Sequence, residues 1–197
     1  MFGTCDTLVG MPNWCETDLV FKGPERAMNV FLETLMASPI EGEEELVSLL
    51  NTFLPRPEIF HEVEQMPRWR DAELAEASSD EVRLRMQAEN AAAVDAEVSL
   101  LEQTGAKDWY DWSLKNWGTK WPDHSRPPEL RPRSMTMSIS TAWGTPLAGL
   151  IKISEMTGLT ISGRWFEAGM GYQGRFVVKA GDLLIDEAYR YRGCRGG

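Results

Sequence analysis

The segment from Ser134 to Trp143 constrains the fold most strongly, because its residues alternate in polarity. Met135, Met137 and Ile139 are separated by single serine and threonine residues. A period of two is typical of a β-strand that has one face on an apolar core and the other face in water. Because such strands belong to antiparallel sheets, we expect the chain to fold around an antiparallel sheet with one covered face.

Helices and strands are predicted on both sides of this segment. Residues 15–23 contain β-forming residues and are followed by Pro24, which favours the first turn of a helix over about 24–37. A second helix is predicted over residues 147–157, with Gly158 as its C-cap. Further strands are predicted over residues 159–168, 173–180 and about 183–189. This order predicts an α+β fold, a ferredoxin-like split βαβ antiparallel sheet with helices on one face and a C-terminal hairpin.

The negative charge of the chain is concentrated in one segment. The formal net charge is -10, and residues 41–102 contain 16 acidic and 5 basic residues, against 14 and 15 in the remainder. Ser78 and Glu81 have the spacing of a capping box and Gly105 is a suitable C-cap, so a long amphipathic helix is predicted between them. Its predicted apolar stripe consists of Val82, Met86, Ala93, Val94, Val98 and Leu101. We therefore expect an acidic helical insertion over about residues 41–107.

The rest of the sequence favours one domain in a reducing compartment. A single ferredoxin-like domain is expected over residues 11–190, with a disordered extension over 1–10 and a flexible tail over 191–197. The three cysteines form no C-x-x-C pair, so they predict neither a zinc site nor a disulfide framework. Residues 2–10 lack the pattern of a secretory signal, and no later segment has the length of a membrane span. We expect a cytoplasmic protein.

Tryptophans are concentrated between the predicted insertion and the alternating strand, where four of the eight occur from Trp109 to Trp121. They could form a platform on which nucleic-acid bases stack, or they could be core residues. The core interpretation is favoured, because the strand carries methionine and isoleucine where RNA-binding sheets expose phenylalanine or tyrosine. A buried indole needs a partner for its N–H group, which Asn13, Asn116 or Thr119 could provide. The predicted core tryptophans are Trp14, Trp109, Trp112, Trp117, Trp121 and Trp143.

No catalytic, metal or cofactor signature is present in its required context. His61 and His124 do not have the threonine or serine two positions later that two-histidine phosphodiesterases need. Residues 169–174 have the G-x-G-x-x-G spacing, but a predicted strand follows them instead of a phosphate-binding helix N-terminus. Asp123 with His124 is interpreted as a pair of surface residues rather than a metal site. The acidic residues near the tryptophans, which leave a general acid of raised pKa as an open alternative, are Asp108, Asp111 and Asp123.

Short motifs in four parts of the chain carry a family resemblance. They are Met-Pro-Asn-Trp-Cys at 11–15, Trp-Tyr-Asp-Trp at 109–112, Asn-Trp-Gly-Thr-Lys-Trp at 116–121 and Thr-Ala-Trp-Gly-Thr-Pro at 141–146. Phe-Leu-Pro-Arg-Pro at 53–57 and Phe-Glu-Ala-Gly at 166–169 add to them. Together they resemble the YubB ferredoxin-like family encoded by phages and plasmids, over about residues 11–180. The resemblance implies a ferredoxin-like fold and a mobile-element origin. That family has no established activity, so the resemblance assigns no catalytic residue.

The first functional hypothesis is stoichiometric binding of a host protein in the host cell cytosol. The partner would be a nucleic-acid-binding defence component, such as a CRISPR complex, whose basic channel the acidic surface would occupy in place of DNA phosphates. The candidate binding residues are Glu43, Glu44, Glu45, Glu81, Glu89, Asp95, Glu97 and Glu102. We do not expect this segment to bind nucleic acid directly, because its negative field repels phosphates.

Two alternatives from other classes stay open. The second hypothesis is a nucleic-acid-binding module that uses a loop from Arg126 to Arg133 and a tail containing Arg190, Arg192 and Arg195, with the tryptophans assisting. The third is an enzyme acting on a small molecule or nucleotide, which needs a deep pocket with converging carboxylates near Trp117 and Trp121. The oligomeric state is left open by the sequence.

Overall fold

The computed structural model describes residues 13–40 and 42–193. The predicted extension over residues 1–10 and the last four residues of the predicted tail lie outside the described residues. The chain forms two compact units. The sheet unit contains the described residues up to Leu54 and from Trp117 onward, and the helical unit contains Pro55–Asn116.

The described elements alternate between strands and helices at both ends of the chain and are helical in the middle. In chain order they are β1 (Trp14–Lys22), α1 (Glu25–Met36), β2 (Pro39–Ile40), β3 (Glu43–Val47), α2 (Leu49–Phe53), α3 (Ile59–Glu64), α4 (Asp71–Ala75), α5 (Asp80–Thr104), α6 (Trp109–Asn116), β4 (Glu129–Arg131), β5 (Ser134–Ala142), α7 (Leu147–Thr157), β6 (Thr160–Glu167), β7 (Tyr172–Lys179) and β8 (Asp182–Arg190). The strand and helix bounds near both ends follow the predicted ones to within a few residues.

The main sheet is antiparallel, with the strand order β4-β5-β1-β6-β7-β8. Because β1 lies between β5 and β6, the connection through α7 is a split βαβ unit. The chain is therefore an α+β protein with a ferredoxin-like sheet, to which β7 and β8 add a C-terminal hairpin. This confirms the fold class predicted from the alternating strand.

Alternate residues of the central strands form the covered face of the sheet. Phe21 and Ile139 are buried there, and Phe31 of α1 packs on Phe21 with 4.8 Å between their ring centroids. Helix α7 packs on β6 and β7. The opposite face carries Asp18 and Arg164 among other polar residues, and it is called the open face below.

Two pieces of the sheet unit were not predicted. Strands β2 and β3 form a separate two-stranded sheet, and the backbone N–H of Val47 donates to the carbonyl of Ser125 at 2.8 Å. The segment from 124 to 133, predicted as an exposed loop, contains β4, which pairs with β5. Its three prolines favoured a loop. However, β4 has only three residues, contains no proline and lies at the edge of the sheet, where nearby prolines are tolerated.

The helical unit is built on α5, on which α3 and α4 pack. The side chain of Asn90 accepts from the backbone N–H of Trp69 and donates to its carbonyl, both at 2.8 Å. The N-cap of α5 is Ser79, whose hydroxyl accepts from the N–H of Val82, and not the predicted Ser78. Gly105 is the predicted C-cap and is left-handed with φ 67°. Within residues 13–40 and 42–193, no helix combines the length and apolar character needed to cross a bilayer.

Candidate functional site

Helix α5 has 25 residues and carries apolar residues on two faces. Met86, Ala93 and Leu100 follow one another at intervals of seven and are buried. They are the residues that face the rest of the helical unit, since a spacing of seven keeps side chains on one side of a helix. The single stripe predicted from the sequence is therefore wrong, because Val94 and Val98 do not share this buried face.

A second row of residues, apolar except for Gln87, runs along the exposed side of α5. It alternates steps of three and four, the spacing by which a helix packs against another helix, and we call it the apolar seam. The seam consists of Leu84, Gln87, Ala91, Val94, Val98 and Leu101, all of which are exposed. Its four large members, Leu84, Val94, Val98 and Leu101, are between 51% and 66% exposed. Exposed apolar residues in one row make this side of α5 a candidate interaction surface.

The lengths of the neighbouring helices explain why the seam is bare. At 1.5 Å per residue, α5 is about 37 Å long, whereas the 6 residues of α3 and the 5 residues of α4 would cover only about 16 Å together. Two short helices can therefore bury one side of α5 in part, and leave the other side to solvent.

The predicted acidic residues are not equally available. On α5, Glu81, Asp95 and Glu102 are exposed. Glu97 accepts a hydrogen bond from the guanidinium of Arg68 at 2.6 Å, and the half-buried Glu89 accepts from the indole N–H of Trp69 at 2.6 Å. These last two acids therefore hold the segment before α4 onto α5. The other predicted acids, Glu43, Glu44 and Glu45, lie on β3 of the sheet unit.

The predicted tryptophan core is only partly present. Trp117 and Trp112 are buried, and Trp109 and Trp121 are half-buried. The core prediction is wrong for Trp14 and Trp143, which are 47% and 42% exposed. Trp14 lies on the face of β1 opposite to buried Cys15, because side chains alternate along a strand. Trp143 leaves the sheet in a left-handed turn with φ 67°.

The indoles of Trp121 and Trp143 both lie near the side chain of Lys120. The Nζ atom of Lys120 lies 4.3 Å from the ring centroid of Trp121 and 6.0 Å from that of Trp143. Both distances are within the range of cation–π attraction. Lys120 therefore lies against the indole of Trp121. The buried indole N–H of Trp117 donates to the carbonyl of Leu54 at 2.9 Å, and not to a predicted partner.

The acidic residues near the tryptophans bind backbone N–H groups. Asp108 accepts from the N–H of Asp111 at 2.7 Å at the start of α6. Asp123, predicted as a surface residue, is wholly buried and accepts from the N–H groups of Leu50 and Leu49 at 2.9 and 3.1 Å. Burial raises the pKa of Asp123, against the hydrogen bonds that it accepts. Its contacts are those of a helix cap, so its raised pKa has a structural cause.

The remaining candidate positions are spread over the two units. His61 lies on α3 and contacts Gln65, whereas His124 is exposed in the sheet unit. The glycines of residues 169–174 lie in the turn from β6 to β7, as predicted. Arg131 pairs with Glu129 at 3.4 Å, and Arg195 lies outside the described residues. Among the described side chains, no group of three or more His, Cys, Asp or Glu is arranged to hold a metal ion.

A comparison with known protein families bears on the sheet. A family model described as a ferredoxin-like domain in Api92-like protein matches residues 116–190. The crystal structure of protein api92 from Yersinia pseudotuberculosis is similar with 10% sequence identity and a TM-score of 0.47, and the match covers 93% of this chain and 100% of that chain. No curated protein matches. The finer resemblance to the YubB family stays a prediction, and the C-terminal part of the chain, residues 116–190, is similar to the ferredoxin-like domain of Api92-like proteins.

Proposed function

We propose that this protein acts by stoichiometric binding of another protein, and that the binding surface is the apolar seam of α5. The observation that carries the proposal is the exposure of Leu84, Val94, Val98 and Leu101 at helix-packing spacing on one side of a single helix. From Leu84 to Leu101 the seam is about 26 Å long. That length is enough for five turns of a partner helix to pack against it.

The residues beside the seam indicate the chemistry of the partner. Asp95 and Glu102 flank it on one side and are exposed. On the other side, Arg83 pairs with Asp80 at 2.9 Å, and Glu97 pairs with Arg68. The acids available to a partner therefore lie along one edge. Charges in these flanking positions select the partner of a helix pair, so we expect an amphipathic helix with lysine or arginine along one edge.

A second copy of the chain fits this surface less well. Pairing two copies of α5 would place the edge that carries Asp95 and Glu102 against another edge that is acidic or neutral. Like charges at these positions disfavour pairing. The helical unit, Pro55–Asn116, contains 14 acidic and 7 basic residues, so its long-range field also favours a basic partner.

The resemblance to the YubB family suggests which kind of protein the partner is. We propose a host defence protein with a basic nucleic-acid channel, and an inhibitor encoded by a phage or plasmid. The exposed acids would then occupy positions that phosphates take in that channel, and the seam would supply the apolar contact. Glu89 and Glu97 already accept hydrogen bonds within the helical unit. The acids that remain are too few to occupy a row of phosphate positions by themselves. The seam is therefore the part of the surface to test first.

The experiment uses a labelled peptide of about 21 residues, with leucine at the helix-packing positions and lysine beside them. Fluorescence anisotropy measures its binding to the full chain and to the variant V94E/V98E. The control variant A92E/Q103E adds the same two charges at exposed positions of α5 outside the seam. We expect the seam variant to bind at least about tenfold more weakly, and the control to bind as the parent does.

Two further outcomes decide the charge argument. The variant D95K/E102K should reverse the preference of the parent, so that a peptide with glutamate in place of lysine binds better. Equal binding by the parent, the seam variant and the control would refute the proposed surface. Once the surface is established, mass spectrometry of host proteins retained by the parent but not by V94E/V98E would identify the partner.

A further inference from the structure

We propose that the open face of the sheet, over β6, β7 and β8, binds a nucleotide, with the base on an aromatic shelf and the phosphate on a pair of arginines. The strand register places three residues directly opposite one another in each of two neighbouring rows. The first row is Phe166, Gln173 and Tyr189, and the second row is Arg164, Arg175 and Glu187. Both rows line a groove of about 590 Å³.

The first row provides stacking surface. The rings of Phe166 and Tyr191 stack with 5.7 Å between centroids and 18° between their planes. The backbone N–H of Tyr191 donates to the carbonyl of Gly171 at 2.8 Å, which holds this residue beside the sheet after β8 has ended. Tyr189 is exposed in the same row. Aromatic rings on an open sheet stack with nucleobases irrespective of base identity.

The second row places two arginines next to each other, between two carboxylates. Arg164 and Arg175 lie directly opposite each other on adjacent strands, and like charges in this position are destabilising. Glu187 accepts from Nε and Nη2 of Arg175 at 2.7 and 3.0 Å. On the other side of the row, Asp18 lies opposite Arg164 and accepts from the hydroxyl of Ser138 at 2.7 Å.

Arg164 is exposed, and Arg175 keeps a donor for an anion. A guanidinium has five N–H groups, and Glu187 uses two nitrogen atoms of Arg175, so its third nitrogen is not used by this pair. The carboxylate fixes the plane of the guanidinium, which suits the forked binding of phosphate oxygens. A phosphate that contacts Arg164 and Arg175 together would also remove the repulsion between them.

The two rows are spaced for one nucleotide. Residues two apart on a strand are about 7 Å apart, so the shelf and the arginines are within reach of a base and its own phosphate. The groove has the volume of a small-molecule site. Towards the centre of the sheet, the open face carries Glu16 and Asp18, whose carboxylates repel phosphates. A nucleic-acid strand would therefore place only one or two nucleotides on this face.

The test uses two probes that share this chemistry. One is a fluorescein-labelled oligothymidylate of about ten nucleotides, and the other is free thymidine monophosphate, followed by anisotropy and by NMR respectively. The full chain is compared with R164Q, and with K179Q as the control. Lys179 is exposed on the same face at the far end of β7, so both variants remove one positive charge.

We expect R164Q to bind at least about fivefold more weakly and to lower the salt slope for the oligonucleotide by about 0.7. K179Q should bind as the parent does. The variant Y189A should weaken binding without changing the salt slope, because it removes stacking and no charge. Binding of the oligonucleotide alone would identify a single strand as the ligand, and binding of both probes would identify the nucleotide unit.

Two results would overturn the proposal. One is the absence of binding of either probe to the parent at low salt. The other is an equal loss in R164Q and K179Q, which would show a general effect of charge. Neither result bears on the apolar seam, because V94E/V98E and the peptide probe test a surface in the helical unit.

Discussion

Replacement of the buried Asp123 should be among the most costly single changes in the sheet unit. Its carboxylate accepts from the N–H groups of Leu50 and Leu49 and from the hydroxyl of Ser125 at 3.1 Å. Asp123→Ala would leave two buried N–H groups at the start of α2 without an acceptor. At about 1–3 kcal/mol for each unsatisfied group, we expect a loss of about 2–6 kcal/mol in the free energy of unfolding. That loss is a large part of the stability of a typical domain.

The dependence on pH follows from the direction of the pKa shift. Burial raises the pKa of Asp123 above its ordinary value. The folded chain therefore binds this proton more tightly than the unfolded chain does. The contribution to stability is full below the unfolded pKa of about 3.9 and is lost as the pH rises through the folded pKa. Asparagine cannot ionise, so the stability of the parent relative to Asp123→Asn should fall as the pH rises.

Urea unfolding followed by tryptophan fluorescence measures both effects, from about pH 4 to about pH 8. Asparagine keeps one acceptor oxygen, and its amide can donate to the hydroxyl of Ser125, so Asp123→Asn should cost less than Asp123→Ala. Asp182→Asn replaces an exposed acid and should change the free energy of unfolding by less than about 0.5 kcal/mol. A loss below about 1 kcal/mol in Asp123→Ala would refute the capping role. If the free energy of unfolding of the parent rises with pH relative to that of Asp123→Asn, the pKa of Asp123 is not raised.

Two other predictions concern buried positions of the sheet. Burial raises the pKa of the Cys15 thiol to about 12, so roughly 10⁻⁴ of it is thiolate at pH 8. In a variant whose other two cysteines are changed to serine, a thiol reagent should label Cys15 only when urea unfolds the chain. Rapid labelling of Cys15 without urea would contradict this prediction. At Gly174, a Cβ atom would meet the backbone oxygen of Glu187 and the ring of Trp165. Gly174→Ala should therefore lower the free energy of unfolding, measured in urea, by about 1–3 kcal/mol. The control Gly144→Ala should lower it much less, because a Cβ atom there would have no neighbour within 4 Å. Equal losses in the two variants would show that the contact at Gly174 does not matter.

The fold could be predicted because its signals are local. The alternation from Ser134 to Trp143 and the left-handed Gly158 at the end of α7 depend on neighbours in the chain. β2 and β3 were missed because their pairing depends on a turn and on contact with Ser125, distant in sequence. The polar partners of Trp117 were also predicted wrongly, because its acceptor lies 63 residues away.

The groove over β6, β7 and β8 could not be predicted from the sequence for a related reason. Arg164 and Arg175 are eleven positions apart, and only the register of the β6–β7 hairpin places them opposite each other. A shift of one residue would send Arg175 to the covered face. From the sequence alone, a basic patch can be recognised only where basic residues lie close together along the chain. The predicted patch was therefore the segment around Arg131, whose guanidinium pairs with Glu129 instead.

The acids of α5 could be predicted as a surface from the sequence, but its apolar seam could not. In a helix of 25 residues, a stripe at Met86, Ala93 and Leu100 and a stripe at Val94, Val98 and Leu101 have similar periodicity, so the sequence does not distinguish the buried stripe from the exposed one. The choice depends on which side the short helices α3 and α4 can cover, and they cover the first. Once that side is known, the second stripe has no partner within the described part of the helical unit. Burial of that stripe by a basic helix, as proposed above, would use the exposed acids as flanking charges, so the proposal joins the charge and the apolar surface of α5 in one site.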